Sequence, residues 1–244
     1  MDIISSKRSW LLSPMVFLIG MLALTAVWAV MEPRELITAF DNDGGSPVEL
    51  MTLPLFTLIV PLVWLCPPVA GTARRQAFWS SVWSLLGVIA IIRETDLHKL
   101  LFAKIWPEVA NTFPGTVYKM NFLKADGVPL MPKLFVLCFF ILFFAAVLLP
   151  LVRYLPALIR GFFSLKPVAW SAATFGVVSV MVMVVDRLPA NLREWGVKGL
   201  DDSSAWLSLM KAFEEGGEML MALLALLALL QSHLVFVRNR GVAQ

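Results

Sequence analysis

The segment "IIRETDLHKLL", residues 91–101, places Arg93, Glu94, Asp96, His98 and Lys99 directly after an apolar run. Ionisable groups this close to an apolar segment are costly in lipid and usually face a bundle interior or a wet cavity. If one helix continues through them, Glu94 and His98 stand four residues apart and share a face. A carboxylate and an imidazole at that spacing can hold one divalent metal ion. Alternatively, the carboxylate can fix the imidazole's tautomer for proton transfer. The competing reading is a solvated helix end with an interfacial ion-pair cluster.

Two further places carry the same chemistry. Asp186 and Arg187 follow "VMVMVV" directly. Glu214, Glu215 and Glu218 flank Gly216–Gly217 in "SSAWLSLMKAFEEGGEML", residues 203–220. Ser203 or Ser204 suits a helix cap. Trp206, Leu209, Met210 and Phe213 would then share one apolar face, as in a helix lying on a membrane. The glycine pair predicts a break or hinge where this helix meets the next span, because glycine is poor in a helix interior.

If these segments are neighbours, Glu94, Asp96, His98, Asp186, Glu214 and Glu218 converge as candidate catalytic groups. Arg93, Lys99 and Arg187 become substrate-binding counter-charges, and Glu94 with His98 the candidate metal ligands. Carboxylates that share a site push one pKa upward, which is how a general acid or base is tuned. They also make an oxygen-rich site for a hard divalent cation, the cofactor this pattern suggests. With two histidines in the chain, a several-histidine zinc site is excluded. No P-loop, GxSxG elbow or HExxH motif is present.

The elements that must position these residues are membrane spans. Of the 244 residues, 59% are hydrophobic and 15% charged, against roughly 45–50% and about 25% in soluble domains. The mean hydropathy is +0.80. A span needs about 20 mostly apolar residues, and this predicts six: about 10–31, 50–70, 77–92, 134–152, 168–185 and 218–237. The expected fold is all-α: a single integral membrane domain over 1–244, a polytopic bundle with interfacial amphipathic helices on its outer face. The alternating strands of an outer-membrane barrel are missing.

Charge sets the orientation. The N-terminus, 71–76, 153–167 and 238–244 together hold nine basic residues and one acid. The segments 32–49, 93–133 and 186–217, with Glu218, hold eleven bases and sixteen acids. Short loops rich in Lys and Arg stay in the cytoplasm, so both ends are expected inside, in a bacterial inner membrane. Trp10, Trp28, Trp64, Trp79, Trp83 and Trp170 fall near span ends, where amphipathic rings prefer the interface. The net charge of +3 comes from scattered bases, not the runs that track phosphates, so nucleic acid is not an expected partner. Cys66 and Cys138 lie in apolar runs and read as small buried hydrophobes.

In the loop 107–133, Pro114–Gly115 and Asp126–Gly127 are turn signals. "FDNDGGS", 40–46, reads as a plain turn, lacking EF-hand spacing. His233 reads as an ordinary helix residue near the inner interface. Three functions follow in order of preference. The first is an enzyme acting on a lipid-linked or membrane-proximal substrate at the outer leaflet. The second is a small ion-coupled transporter. The third is a non-catalytic assembly, immunity or scaffold protein whose outer loops bind a membrane protein partner.

Overall fold

The computed structural model describes residues 9–40, 46–67, 72–95, 97–112, 120–197 and 204–241. Among these the chain is helical without strands. A 3-10 turn, Ser9–Leu11, leads into α1 (Leu12–Val30); α2 (Pro33–Phe40), α3 (Pro47–Leu65) and α4 (Ala73–Glu94) follow. Three short helices, α5 (Leu97–Ile105), α6 (Pro107–Thr112) and α7 (Met120–Lys124), precede α8 (Leu130–Phe163), α9 (Pro167–Glu194) and α10 (Ala205–Gly241).

Among the described residues, four helices are long and apolar enough to cross a membrane: Ser9–Val30, Ala73–Glu94, Pro167–Glu194 and Ala205–Leu234. Leu50–Leu65 and Leu130–Ala145 are shorter apolar helices, in the regions of the second and fourth expected spans. Large apolar side chains stay exposed along α8, among them Phe135, Ile141, Leu142, Leu149 and Val152. This much uncovered apolar surface suits lipid as the outer solvent and gives the chain the character of a membrane protein.

The centre of the bundle is α10. Of its span window 44% is buried inside the protein, against 11% for that of α1. It packs on α9, α3, α1 and α2. Apolar side chains gain little by leaving lipid, so membrane helices associate through close packing of small residues. Gly20 lies under the Leu220 side chain, Gly216 under Leu24, and Gly217 under Val182. Leu24, Val178, Val182, Ala212, Leu220 and Leu224 form the core around these contacts, joined by Leu36 and Phe40 of α2.

This overturns the expected hinge: α10 runs unbroken through Gly216–Gly217. The pair is present because a side chain on either glycine would collide with α1 or α9. The expected surface helix is therefore the first part of α10, and its buried face differs as well. Leu207, Ser208 and Ala212 point inward, while Trp206 is 67% exposed.

The other ends have local causes. Thr72 caps α4 by accepting from the Arg75 N–H, and α3 and α4 are tied by Ser80 Oγ donating to the Val63 carbonyl at 2.7 Å. In the turn between α8 and α9, Lys166 N–H donates to the Gly161 carbonyl and Leu165 N–H to that of Phe162. This is a Schellman closure, and Leu165 occupies the left-handed position at φ 52° that glycine usually takes. At the far end of α9, Gly196 fills the same role at φ +80°.

Near the starts of α1 and α9 a buried polar chain crosses the bundle. Ser13 and Ser171 share a hydrogen bond of 2.5 Å. Ser171 donates to Gln231 Oε1, and Gln231 Nε2 donates to the Ser9 carbonyl. Trp10 and Trp170 pack alongside at 4.7 Å. Trp79 is only 4% exposed and sits against Tyr154. Both cysteines are free, and Cys138 is exposed where burial was expected. The turn at Asp126–Gly127 is present, with Gly127 at φ +91°. Pro114–Gly115 and most of 40–46 lie outside the described residues.

Candidate functional site

The site is built on the first half of α10. Lys211, Glu214 and Glu218 recur at three- and four-residue spacing, so they share one stripe of the helix. Gly216 and Gly217 draw this stretch tightly against α1 and α9. The adjoining carboxylates are carried into the interior with it: Glu214 is 7% and Glu218 3% exposed. Gly216 lies beside Leu24, six residues before the end of α1, so the acids start about 9 Å along the bundle from that end.

Arg93 reaches Glu218 from the last turn of α4, forming an ion pair with a hydrogen bond from Nη2 to Oε1. A cation at a helix C-terminus is favoured by the helix dipole. The pair is lopsided, with the Arg93 side chain 59% exposed and that of Glu218 only 4%. Beside it, one carboxylate oxygen each from Glu94, Glu215 and Glu218 lie within 4.8 Å of one another. Oxygen ligands around one hard cation span such distances. Glu94 and Asp186 both lie within electrostatic reach of Arg93.

One turn towards the start of α10 a cleft of about 280 Å³ opens between α2, α9 and α10. Ile37 and Leu207 supply its apolar wall, and Asp186, Arg193, Lys211 and Glu214 its charges. Lys211 Nζ is 3.0 Å from Glu214 Oε2. Glu214 in turn lies within electrostatic reach of Asp186 and Glu218. The cleft and the three-carboxylate group therefore adjoin through α10.

Of the residues singled out in the sequence, the structure groups Arg93, Glu94 and Glu218, and sets Asp186 and Glu214 in the adjoining cleft. Arg187 instead turns to its neighbour Asp186, at 3.4 Å, with 66% of its side chain exposed. Asp96 lies outside the described residues, as do the side chains of His98 and Lys99 on α5.

The proposed sharing of a face by Glu94 and His98 fails. Helix α4 ends at Glu94, with Thr95 as its C-cap, and α5 starts afresh at Leu97. The metal-ligand pair drawn from that spacing loses its basis, and the carboxylate partners of Glu94 come from α10. Glu215, Lys211 and Arg193 were not assigned to the site from sequence. Lys211 was legible in principle, as the cation three residues before Glu214 on the same helix face.

His233 falls in α10, where its Nδ1 is buried without a hydrogen-bond partner. Comparison with family models, curated proteins and solved structures finds no match to this chain.

Proposed function

We propose that the chain is a multi-pass enzyme of the bacterial inner membrane. It would act at the outer face on a lipid-linked or membrane-proximal substrate, with a divalent cation held by Glu94, Glu215 and Glu218. The single domain would span six times, α3 and α8 supplying the second and fourth spans, with both ends in the cytoplasm. The observation that carries this reading is the three-carboxylate group itself. Its oxygens lie within 4.8 Å, on helices long and apolar enough to cross a membrane.

Three ionised carboxylates gathered within 4.8 Å repel one another, and a bound cation is one way to offset that repulsion. A divalent ion there could polarise a carbonyl or phosphoryl oxygen or activate water.

A second reading, an ion-coupled carrier, is favoured by the depth of Glu218, thirteen residues inside α10 and almost fully buried. Carriers bind their coupling ions inside the membrane.

The deciding measurement is the metal content of the detergent-purified protein, beside Glu94→Ala, Glu215→Ala and Glu218→Ala. A near-stoichiometric divalent metal lost in all three supports the enzyme. Absence of metal, with ion flux in proteoliposomes that Glu218→Ala abolishes, supports the carrier. Neither metal nor flux, with all variants as stable as the parent, sinks both readings and leaves partner binding through the outer loops. Topology is tested separately with Gly45→Cys, Met120→Cys and Leu200→Cys in a background without Cys66 and Cys138. Failure of a membrane-impermeant thiol reagent to label them in intact cells rules out the six-span arrangement.

A further inference from the structure

We propose that the cleft between α2, α9 and α10 is a headgroup site for a zwitterionic phospholipid that carries a phosphate and a primary ammonium. This deepens the reading above by naming a substrate class, and it rests on that reading for the placement of the cleft at the outer leaflet.

The first argument is charge. Asp186 and Arg193 line the α9 side of the cleft and Lys211 and Glu214 the α10 side, so it is neutral in sum with one acid and one base on each wall. A purely anionic headgroup would set its phosphate against two carboxylates. A bare cation would meet two basic side chains. A zwitterion answers both, with the phosphate towards Arg193 and Lys211 and the ammonium towards Asp186 and Glu214. Arginine offers a planar fork suited to phosphate, and an ionised carboxylate accepts several N–H donors. The Lys211–Glu214 contact at 3.0 Å fixes both charges on the α10 side.

The second argument concerns the amine. Quaternary ammonium groups are recognised by aromatic cages. Among the described residues, no aromatic side chain lines this cleft. Carboxylates instead match a primary ammonium, which has N–H donors to give.

The third argument is height. Trp195 and Trp206 are 73% and 67% exposed, and the Trp28 indole N–H donates to the Ala205 carbonyl. Exposed indoles mark the headgroup level of a bilayer. Arg193 and Leu207 lie within two residues of these rings in sequence. The volume of about 280 Å³ is at the small end for ligand pockets, which suits a headgroup whose acyl chains remain in the bilayer.

The test uses the full-length protein in detergent, titrated with dioleoyl phosphatidylethanolamine, phosphatidylcholine or phosphatidylglycerol. Bound lipid is counted by native mass spectrometry. We expect phosphatidylethanolamine to bind at least tenfold tighter than the other two. Asp186→Asn, which keeps the side-chain shape, should erase its advantage over phosphatidylglycerol. Arg193→Gln, which attacks the phosphate side through a different residue, should weaken all three lipids.

Equal affinity for the three lipids, or an undiminished preference in Asp186→Asn, overturns the proposal. Soluble phosphoethanolamine is titrated alongside, and affinity equal to that of the lipid overturns the assignment to a membrane ligand. Metal content of the same samples reports on Glu94, Glu215 and Glu218 alone, so failure of the cation site and failure of the lipid site are read independently.

Discussion

Exchanging the two partners of the Arg93–Glu218 pair should have unequal consequences. Glu218 is buried, with 4% of its side chain exposed, while Arg93 keeps 59% of its side chain in contact with its surroundings. Arg93→Gln therefore strands a buried carboxylate next to Glu94 and Glu215. At the 4.8 Å limit of that group, each pair of ionised carboxylates repels by about 3.5 kcal/mol at an effective dielectric constant of about 20. Losing the guanidinium removes a cation that opposes that repulsion, so Arg93→Gln should cost about 3 kcal/mol, the low end for breaking a buried pair. Glu218→Gln removes the buried charge, relieves the repulsion and leaves a guanidinium that solvent can reach. Its cost should be about 1 kcal/mol. The double variant should behave like Glu218→Gln, giving a coupling of about 3 kcal/mol in a double-mutant cycle. Unfolding in mixed micelles titrated with dodecyl sulfate measures all four proteins. A Glu218→Gln variant as unstable as Arg93→Gln, or strictly additive singles, would refute the reasoning that the acid is the stranded partner.

The same titration checks three packing claims. Gly216→Leu should destabilise by about 3 kcal/mol or prevent assembly, because the new side chain occupies the place of Leu24. Gly176→Ala, which meets nothing within 4 Å, should be neutral or slightly stabilising, and equal behaviour of the two would remove close approach as the reason for Gly216. Leu165→Gly should stabilise by about 0.5–1 kcal/mol, since its left-handed backbone (φ 52°) costs a non-glycine residue about 1–2 kcal/mol; a loss of stability would contradict this. Gln231→Leu should cost about 1–3 kcal/mol by leaving Ser171 and the Ser9 carbonyl without their buried partner, and an unchanged midpoint would show that the polar chain contributes nothing.

The apolar helices were legible because of their composition, and four of the six expected spans fall on helices long and apolar enough to cross a membrane. What sequence could not supply was the identity of the central helix. Glu218 reads as the start of a span because Gly216–Gly217 looks like a break. Yet glycine serves equally where helices must touch, and only the positions of Leu24 and Val182 decide between the two uses. Once α10 is continuous, Glu215 turns towards Glu94 and Lys211 joins the cleft, neither of which local periodicity reveals. The Glu94–His98 face failed for a local reason: the helix stops at Thr95, and the charged run gives no stop signal there. Leu165 shows the same limit, because a left-handed turn closed by leucine carries no glycine to announce it.

The hub of this bundle is made after the helices that it holds together. Ribosomes deliver α1 to α9 before α10, so the earlier helices must wait in the membrane without the element against which α1, α2, α3 and α9 pack. Each must therefore be apolar enough to persist alone, as the lipid-facing surfaces of α1 and α8 are. Helix α10 is under the opposite constraint. It brings Lys211, Glu214, Glu215 and Glu218 into a greasy channel of exit, and its glycines find their partners only if α1 and α9 are already in place. Closure of the hydrogen bond from Gln231 to Ser9 then joins α10 to the turn that leads into α1. A chain stalled before α10 would leave Ser9 and Ser171 without their Gln231 partner and the faces of α1, α2, α3 and α9 that pack on α10 uncovered.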